Sequence, residues 1–130
     1  MNNELYVGRS SLSVIEVFIY DVATLSFRRN LSIPDLGCVE DMTSCPQCDV
    51  IYISDDCAKK IIVINEHGVV VLNWSIDGRP RGLSVNSQLN VVVARVDERL
   101  QVFTRRGEFL RSINKATIIH YTRESLHSTG

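Results

Sequence analysis

Residues 49–76 read DVIYISDDCAKKIIVINEHGVVVLNWSI. Three apolar runs stand out: VIYIS at 50–54, KIIVIN at 60–65 and VVVLNWSI at 69–76. All are rich in β-branched residues, which favour strand over helix. Asp55-Asp56 separates the first two runs and Glu66-His67-Gly68 the last two. Gly68 can take positive φ without steric cost, as a tight turn requires. The stretch therefore predicts three short antiparallel strands joined by two turns.

The same arrangement recurs downstream. Pro80 and Gly82 punctuate the entry to an alternating segment, Leu83-Ser84-Val85, and NVVVAR (90–95), RLQVFT (99–104) and EFLRSI (108–113) follow, with turns at Asp97-Glu98 and Arg105-Arg106-Gly107. Gly68 and Gly107 are 39 positions apart, as are Asn65 and Thr104, while Tyr52 and Val92 are 40 apart. Asn73-Trp74-Ser75-Ile76 matches Leu110-Arg111-Ser112-Ile113 at an offset of 37. Upstream, Asn30-Leu31-Ser32-Ile33 matches Asn73-Trp74-Ser75-Ile76 at 43, and Leu5-Tyr6-Val7 matches Ile51-Tyr52-Ile53 at 46. A lone β-sandwich also predicts frequent turns, but not one turn type and one strand ending recurring at a nearly fixed offset.

A period near 40 with short strands and tight turns is the signature of β-propeller blades, four-stranded sheets covered by their neighbours. The expected fold is all-β: antiparallel four-stranded blades of an incomplete, open β-propeller. Residues 1–113 form the partial propeller, with blade remnants at about 3–33, 38–76 and 79–113. Residues 114–130 are a tail that frays or begins a further strand. The second blade takes its inner strand from near 38–43, which puts the cysteine-rich loop between its inner and second strands. Further blades are expected from a longer chain or from oligomerisation, because an open arc leaves blade faces bare.

The motifs resemble NHL-repeat propellers. Pro80-Arg81-Gly82-Leu83-Ser84-Val85 resembles the opening of that family's unit, Ile51-Tyr52-Ile53-Ser54-Asp55 its second strand, and residues 61–65 with Gly68, like 100–104 with Gly107, its third. The triplet that names the family is replaced by Lys59-Lys60-Ile61 and Glu98-Arg99-Leu100. The resemblance implies a recognition module, a protein-interaction or scaffold part of a larger protein, whose contacts come from loops at the propeller ends. Some members bind single-stranded RNA, which gives the alternative reading.

Charge bears on that alternative. Residues 1–78 hold 5 Lys/Arg against 11 Asp/Glu, and residues 79–115 hold 8 against 3, inside a whole chain of net charge −1. Arg79, Arg81, Arg95, Arg99, Arg105 and Arg106 are the candidate partner-binding cations, with Trp74 as an aromatic anchor. Phe103 and Tyr121 are the aromatics available for base stacking. None of these arginines forms a run longer than Arg105-Arg106, so solvated faces or complementary neighbouring repeats explain most of the asymmetry.

The four cysteines, Cys38, Cys45, Cys48 and Cys57, fall within twenty residues. Cys45-Pro46-Gln47-Cys48 precedes a strand, whereas a redox C-x-x-C opens a helix, and a second knuckle for zinc is missing. Cys45, Cys48 and Cys57 are read as a thiol cluster, or as a disulfide from Cys45 or Cys48 to Cys57. Asp49, Asp55 and Asp56 lack the spacing of a calcium loop. His67 lies in a turn and His120 and His127 in the tail, so no strand carries a histidine for metal-dependent chemistry. No catalytic residue, metal or cofactor is expected, and the protein is not expected to be an enzyme.

Hydrophobic residues make up 45% of the 130, and charged residues 22%, enough for one folded core. No apolar run approaches the roughly 18 residues of a membrane span, and MNNELYVG has neither the basic nor the apolar region of a signal peptide. The expected location is cytoplasmic, away from membranes.

Overall fold

A computed structural model describes residues 4–11, 14–34, 38–45 and 47–113. They form eleven strands in three antiparallel sheets. Sheet 1 contains β1 (Glu4–Ser11), β2 (Val14–Asp21) and β3 (Phe27–Pro34). Sheet 2 contains β4 (Val39–Cys45), β5 (Val50–Asp55), β6 (Lys60–Asn65) and β7 (Val70–Ser75). Sheet 3 contains β8 (Pro80–Val85), β9 (Val91–Arg95), β10 (Leu100–Phe103) and β11 (Phe109–Ile113). Each strand pairs with its neighbours in chain order, so every sheet is a meander. The predicted tail, 114–130, lies outside the described residues.

The sheets stack face to face, and alternation along each strand decides which side chains meet. Val17, Ile19, Leu31 and Ile33 of sheet 1 pack on Ile51, Ile53, Ile62 and Ile64 of sheet 2. From the opposite face of sheet 2, Tyr52, Ile61, Val63 and Ile76 pack on Val91, Val93 and Phe103 of sheet 3. Sheet 2 is thus buried on both sides, which explains the unbroken apolar runs of β5 and β6. On the far face of sheet 3, Val92, Leu100, Val102 and Ile113 form a third cluster. By the repeat offsets, they hold the positions that Tyr52, Ile61, Val63 and Ile76 hold in sheet 2. Leu5, Val7 and Phe27 stay 41–56% exposed on the far face of sheet 1.

The turns repeat their chemistry as well as their spacing. The Asn65 side chain accepts from the backbone N–H groups of His67 and Val69, and Asn86 does the same for Gln88 and Asn90. The Thr104 hydroxyl serves Arg106 and Glu108. In each turn the third residue onward is left-handed: Gly68 (φ 79°), Leu89 (φ 63°) and Gly107 (φ 90°).

Two of these glycines also seat the preceding sheet. A Cβ on Gly68 would lie 3.3 Å from Leu31, and one on Gly107 would lie 2.6 Å from the Trp74 ring. Leu31 and Trp74 are the paired positions of the sequence repeat, so the outer strand of each sheet tucks beneath the turn glycine of the next. At the inner strands the joint is polar. Asp41 on β4 accepts from the Leu83 N–H on β8 at 2.8 Å, and the buried Ser54 hydroxyl lies within hydrogen-bonding distance of the Asp41 and Arg81 carbonyls.

Candidate interaction surface

In an antiparallel meander, successive turns fall at alternate ends of the sheet. The turns at residues 47–49, 66–69, 86–90 and 104–108 share one end; those at 56–59, 76–79 and 96–99 share the other. The six arginines singled out in the sequence therefore divide. Arg79, Arg81, Arg95 and Arg99 belong to the second end, and Arg105 and Arg106 to the first.

The arginines also differ in occupation. Arg79 grips Asp56 in a two-pronged ion pair, with Nε to Oδ1 at 2.9 Å and Nη2 to Oδ2 at 2.6 Å. That guanidinium holds the Asp56 carboxyl below its ordinary value despite the opposing effect of burial. Arg95 is folded over Gly78 and pairs with Asp97 at 2.7 Å, its side chain only 13% exposed. These two arginines join turns within the fold. Arg81 and Arg99 are exposed. Arg105 and Arg106 are exposed and form no ion pair among the described residues.

Trp74 does not project to solvent as a rim anchor. Its ring lies edge-on to Tyr52 (centroids 6.3 Å apart) and tilted against Phe103 (5.6 Å), and Phe103 in turn meets Phe109 (5.8 Å). The glycine turn covering it is the reason: residue 74 is where sheet 3 sits on sheet 2.

The cysteine pairing differs from the expected one. Cys57 bonds Cys38, while Cys45 and Cys48 remain thiols. Cys45 ends β4 at the first end of the sheet, whereas Cys57 lies in the turn at the second. The six residues of β5 hold those turns roughly 20 Å apart at about 3.3 Å per residue. Cys38, just before β4, lies beside the second turn, where Asp55 accepts from the Cys38 N–H and the Asp56 N–H donates to the Cys38 carbonyl. Burial and the neighbouring Cys48 push the Cys45 thiol up to about 11.

A cleft of 410 Å³ opens between sheets 2 and 3 at the first end. Val50, Tyr52 and Val63 line it from β5 and β6, Val71 and Leu72 from β7, and Cys48 from the turn before β5. Arg105 and Arg106 supply the wall from sheet 3. The Tyr52 hydroxyl donates to the Arg105 carbonyl at 3.0 Å, fixing that turn over the cleft. Burial, reinforced by the two thiols, pushes the Tyr52 phenol up to about 12, so it stays a neutral donor. The result is an apolar slot with two guanidinium groups along one lip that form no ion pair among the described residues. By the repeat offset, the corresponding turn of sheet 2 carries Glu66 and the exposed His67 instead. Sequence reading singled out Arg105, Arg106 and Cys48 but not the valine and leucine lining. Val71 and Leu72 both face the cleft because β7 slips register against β6 between Val63 and Ile64, a bulge with no mark in the sequence.

No protein-family model matches the chain, and no curated protein matches it in sequence. Solved structures do. Chaetomium thermophilum Raptor superposes with a TM-score of 0.66 at 18% identity, over 87% of this chain and 11% of that one. BBS1N, solved in complex with ARL6DN, gives 0.60 at 16% identity, over 85% of this chain and 38% of that one. BamB from Moraxella catarrhalis gives 0.57 at 14% identity, over 76% and 28%. All three contain propellers, and the fold is all-β with the stacked antiparallel sheets of a partial propeller. The chain spans well under half the length of each. The resemblance to NHL repeats is matched at the level of the propeller and not of that family. No helix among the described residues is long and apolar enough to cross a membrane.

Proposed function

We propose that this chain is a protein-interaction scaffold module, the recognition part of a larger propeller protein of the NHL-like kind, and that it has no catalytic role. The observation that carries this reading is the cleft between sheets 2 and 3. Both faces of sheet 2 are consumed in stacking, whereas this slot keeps apolar walls and two cations without an ion pair among the described residues open at one end, the make-up of a protein-binding pocket. The comparison with BBS1N, a propeller-containing protein solved in complex with another protein, supports the same class of role.

The RNA reading asks for one continuous basic face with stacking aromatics. Here the arginines fall at two ends, two of them are held in ion pairs, and Phe103 is buried; Tyr121 lies outside the described residues. The cytoplasmic expectation sits poorly with the Cys38–Cys57 bridge, since disulfides belong chiefly to oxidising compartments.

A photo-cross-linking residue placed at Arg106, and at Gln88 as a control on the same end, tests the reading in an extract of source cells, with and without nuclease. A discrete protein adduct from position 106 and not from position 88 is the expected result. An adduct that disappears with nuclease, together with single-stranded RNA binding whose salt slope is several, would establish the RNA reading instead.

A further inference from the structure

The outer strands of the three sheets guard their free edges differently. A strand edge offers unpaired N–H and C=O groups to any extended chain, and proteins commonly block it with charge. β3 carries Arg28 and Arg29, and β11 carries Arg111. β7 carries no charged residue at all. Val69 just before it and Val70 and Val71 at its start are 55, 44 and 52% exposed. Among the described residues no strand pairs with its outer edge.

This bare edge borders the cleft. The bulge in β7 turns Val71 and Leu72 into the slot, and Arg105 and Arg106 face them from sheet 3. Backbone pairing positions, an apolar socket and a pair of guanidiniums without an ion pair among the described residues thus lie side by side. Guanidinium groups favour carboxylates, which they can hold with two parallel hydrogen bonds. The corresponding turn between sheets 1 and 2 carries Glu66 and would repel such a ligand.

We infer that β7 accepts an extended segment of a partner protein as a fifth strand of sheet 2. One apolar side chain of that segment enters the slot beside Tyr52, and an adjacent carboxylate meets Arg105 and Arg106. This is strand addition, with main-chain bonds supplying affinity and the pocket supplying selectivity. It rests on the protein-binding reading and specifies what that reading leaves open: an acidic–aliphatic strand as the ligand.

The probe is an end-blocked, fluorescein-labelled nonapeptide of alternating threonine and leucine with two aspartates near its C-terminal end, titrated by anisotropy against the full 130-residue chain. Replacing both aspartates by asparagine, or using the R105E/R106E chain, should weaken binding at least tenfold. A lysine version of the peptide should regain binding to R105E/R106E. N-methylation at alternate peptide nitrogens should abolish binding, and V70K, which places a charge on the edge, should weaken it about tenfold while circular dichroism stays unchanged. Equal affinity for the N-methylated peptide would overturn strand addition, and equal affinity for the asparagine peptide would overturn the carboxylate site. Failure of every peptide to bind would remove this ligand class. The protein-binding reading would then be judged separately by whether position 106 still cross-links to protein.

Discussion

Gly107 is held by two independent demands, a backbone φ of 90° and a Trp74 ring where its Cβ would stand. Gly107→Ala should therefore cost about 2–4 kcal/mol, part from the left-handed backbone and part from overpacking. In a Trp74→Ala background the second part vanishes, and the same substitution should cost only about 1 kcal/mol. Urea unfolding of the four-member cycle measures this, and strict additivity would show that the ring contact is immaterial. A second residue-scale expectation concerns pH. The folded-state pKa of Asp56 is depressed by Arg79, so its contribution is present above the ordinary carboxylate pKa and is lost as pH falls through the depressed value. Asp56→Asn should destabilise the protein more at pH 6 than at pH 2.5, which is below the ordinary carboxylate value. An unchanged difference between those pH values would mean that the ion pair is not the source.

At the scale of the element, the strands were legible and their edges were not. The predicted run at 60–65 agrees with β6 because β-branched residues buried on both faces leave an unbroken apolar signal, whereas the run at 108–113 agrees with the mostly exposed β11 within a residue because the Gly107 turn fixes where it starts. β4 runs to Cys45, beyond the expected 38–43, since its part-buried mixture of Asp, Thr and Ser carries no such signal. The turns at Leu25, Lys59, Leu89 and Glu98 adopt positive φ without glycine, so sequence placed them only by the runs on either side. The candidate site was legible in its charges, Arg105 and Arg106, and hidden in its walls, which come from strands far apart in sequence and a register slip. The cysteine pairing was missed because spacing along the chain says nothing about which end of a sheet a residue reaches. Cys38→Ser should remove about 3 kcal/mol, the value for closing a loop of this length. Cys48→Ser should cost under 1 kcal/mol. Chemical denaturation with and without reductant checks both; an equal loss from the two variants would contradict the pairing.

At the scale of the whole molecule, the described residues form an arc whose two end sheets are asymmetric. Sheet 1 presents Leu5, Val7 and Phe27 partly to solvent, while sheet 3 ends in the cluster around Val102. The partly exposed apolar side chains of sheet 1 favour association. The purified 130 residues should show a concentration-dependent rise in apparent mass by light scattering, and Val7→Lys with Phe27→Glu should suppress it without lowering the unfolding temperature. A well-folded monomer at all concentrations would count heavily against an open arc. Propeller architecture was readable from the 39-residue offset alone, since it depends on recurrence and not on any one residue. Partner choice was not, since it depends on which of two equivalent turns carries Glu66-His67 and which carries Arg105-Arg106.

The seating of Trp74 beneath Gly107, and of Leu31 beneath Gly68, sets the heritable unit of this fold out of phase with its sheets. The pair that must change together belongs to two neighbouring sheets, so a blade moved whole, cut at the turns that bound it, would arrive with a large residue facing the wrong roof. A graft cut instead within the third strand, carrying an outer strand together with the following turn glycine, would keep each tenant with its own ceiling. In any family of such chains, size at position 74 and permissiveness at position 107 should drift in step. Arg111, third in that series, marks the place where the next glycine would be sought.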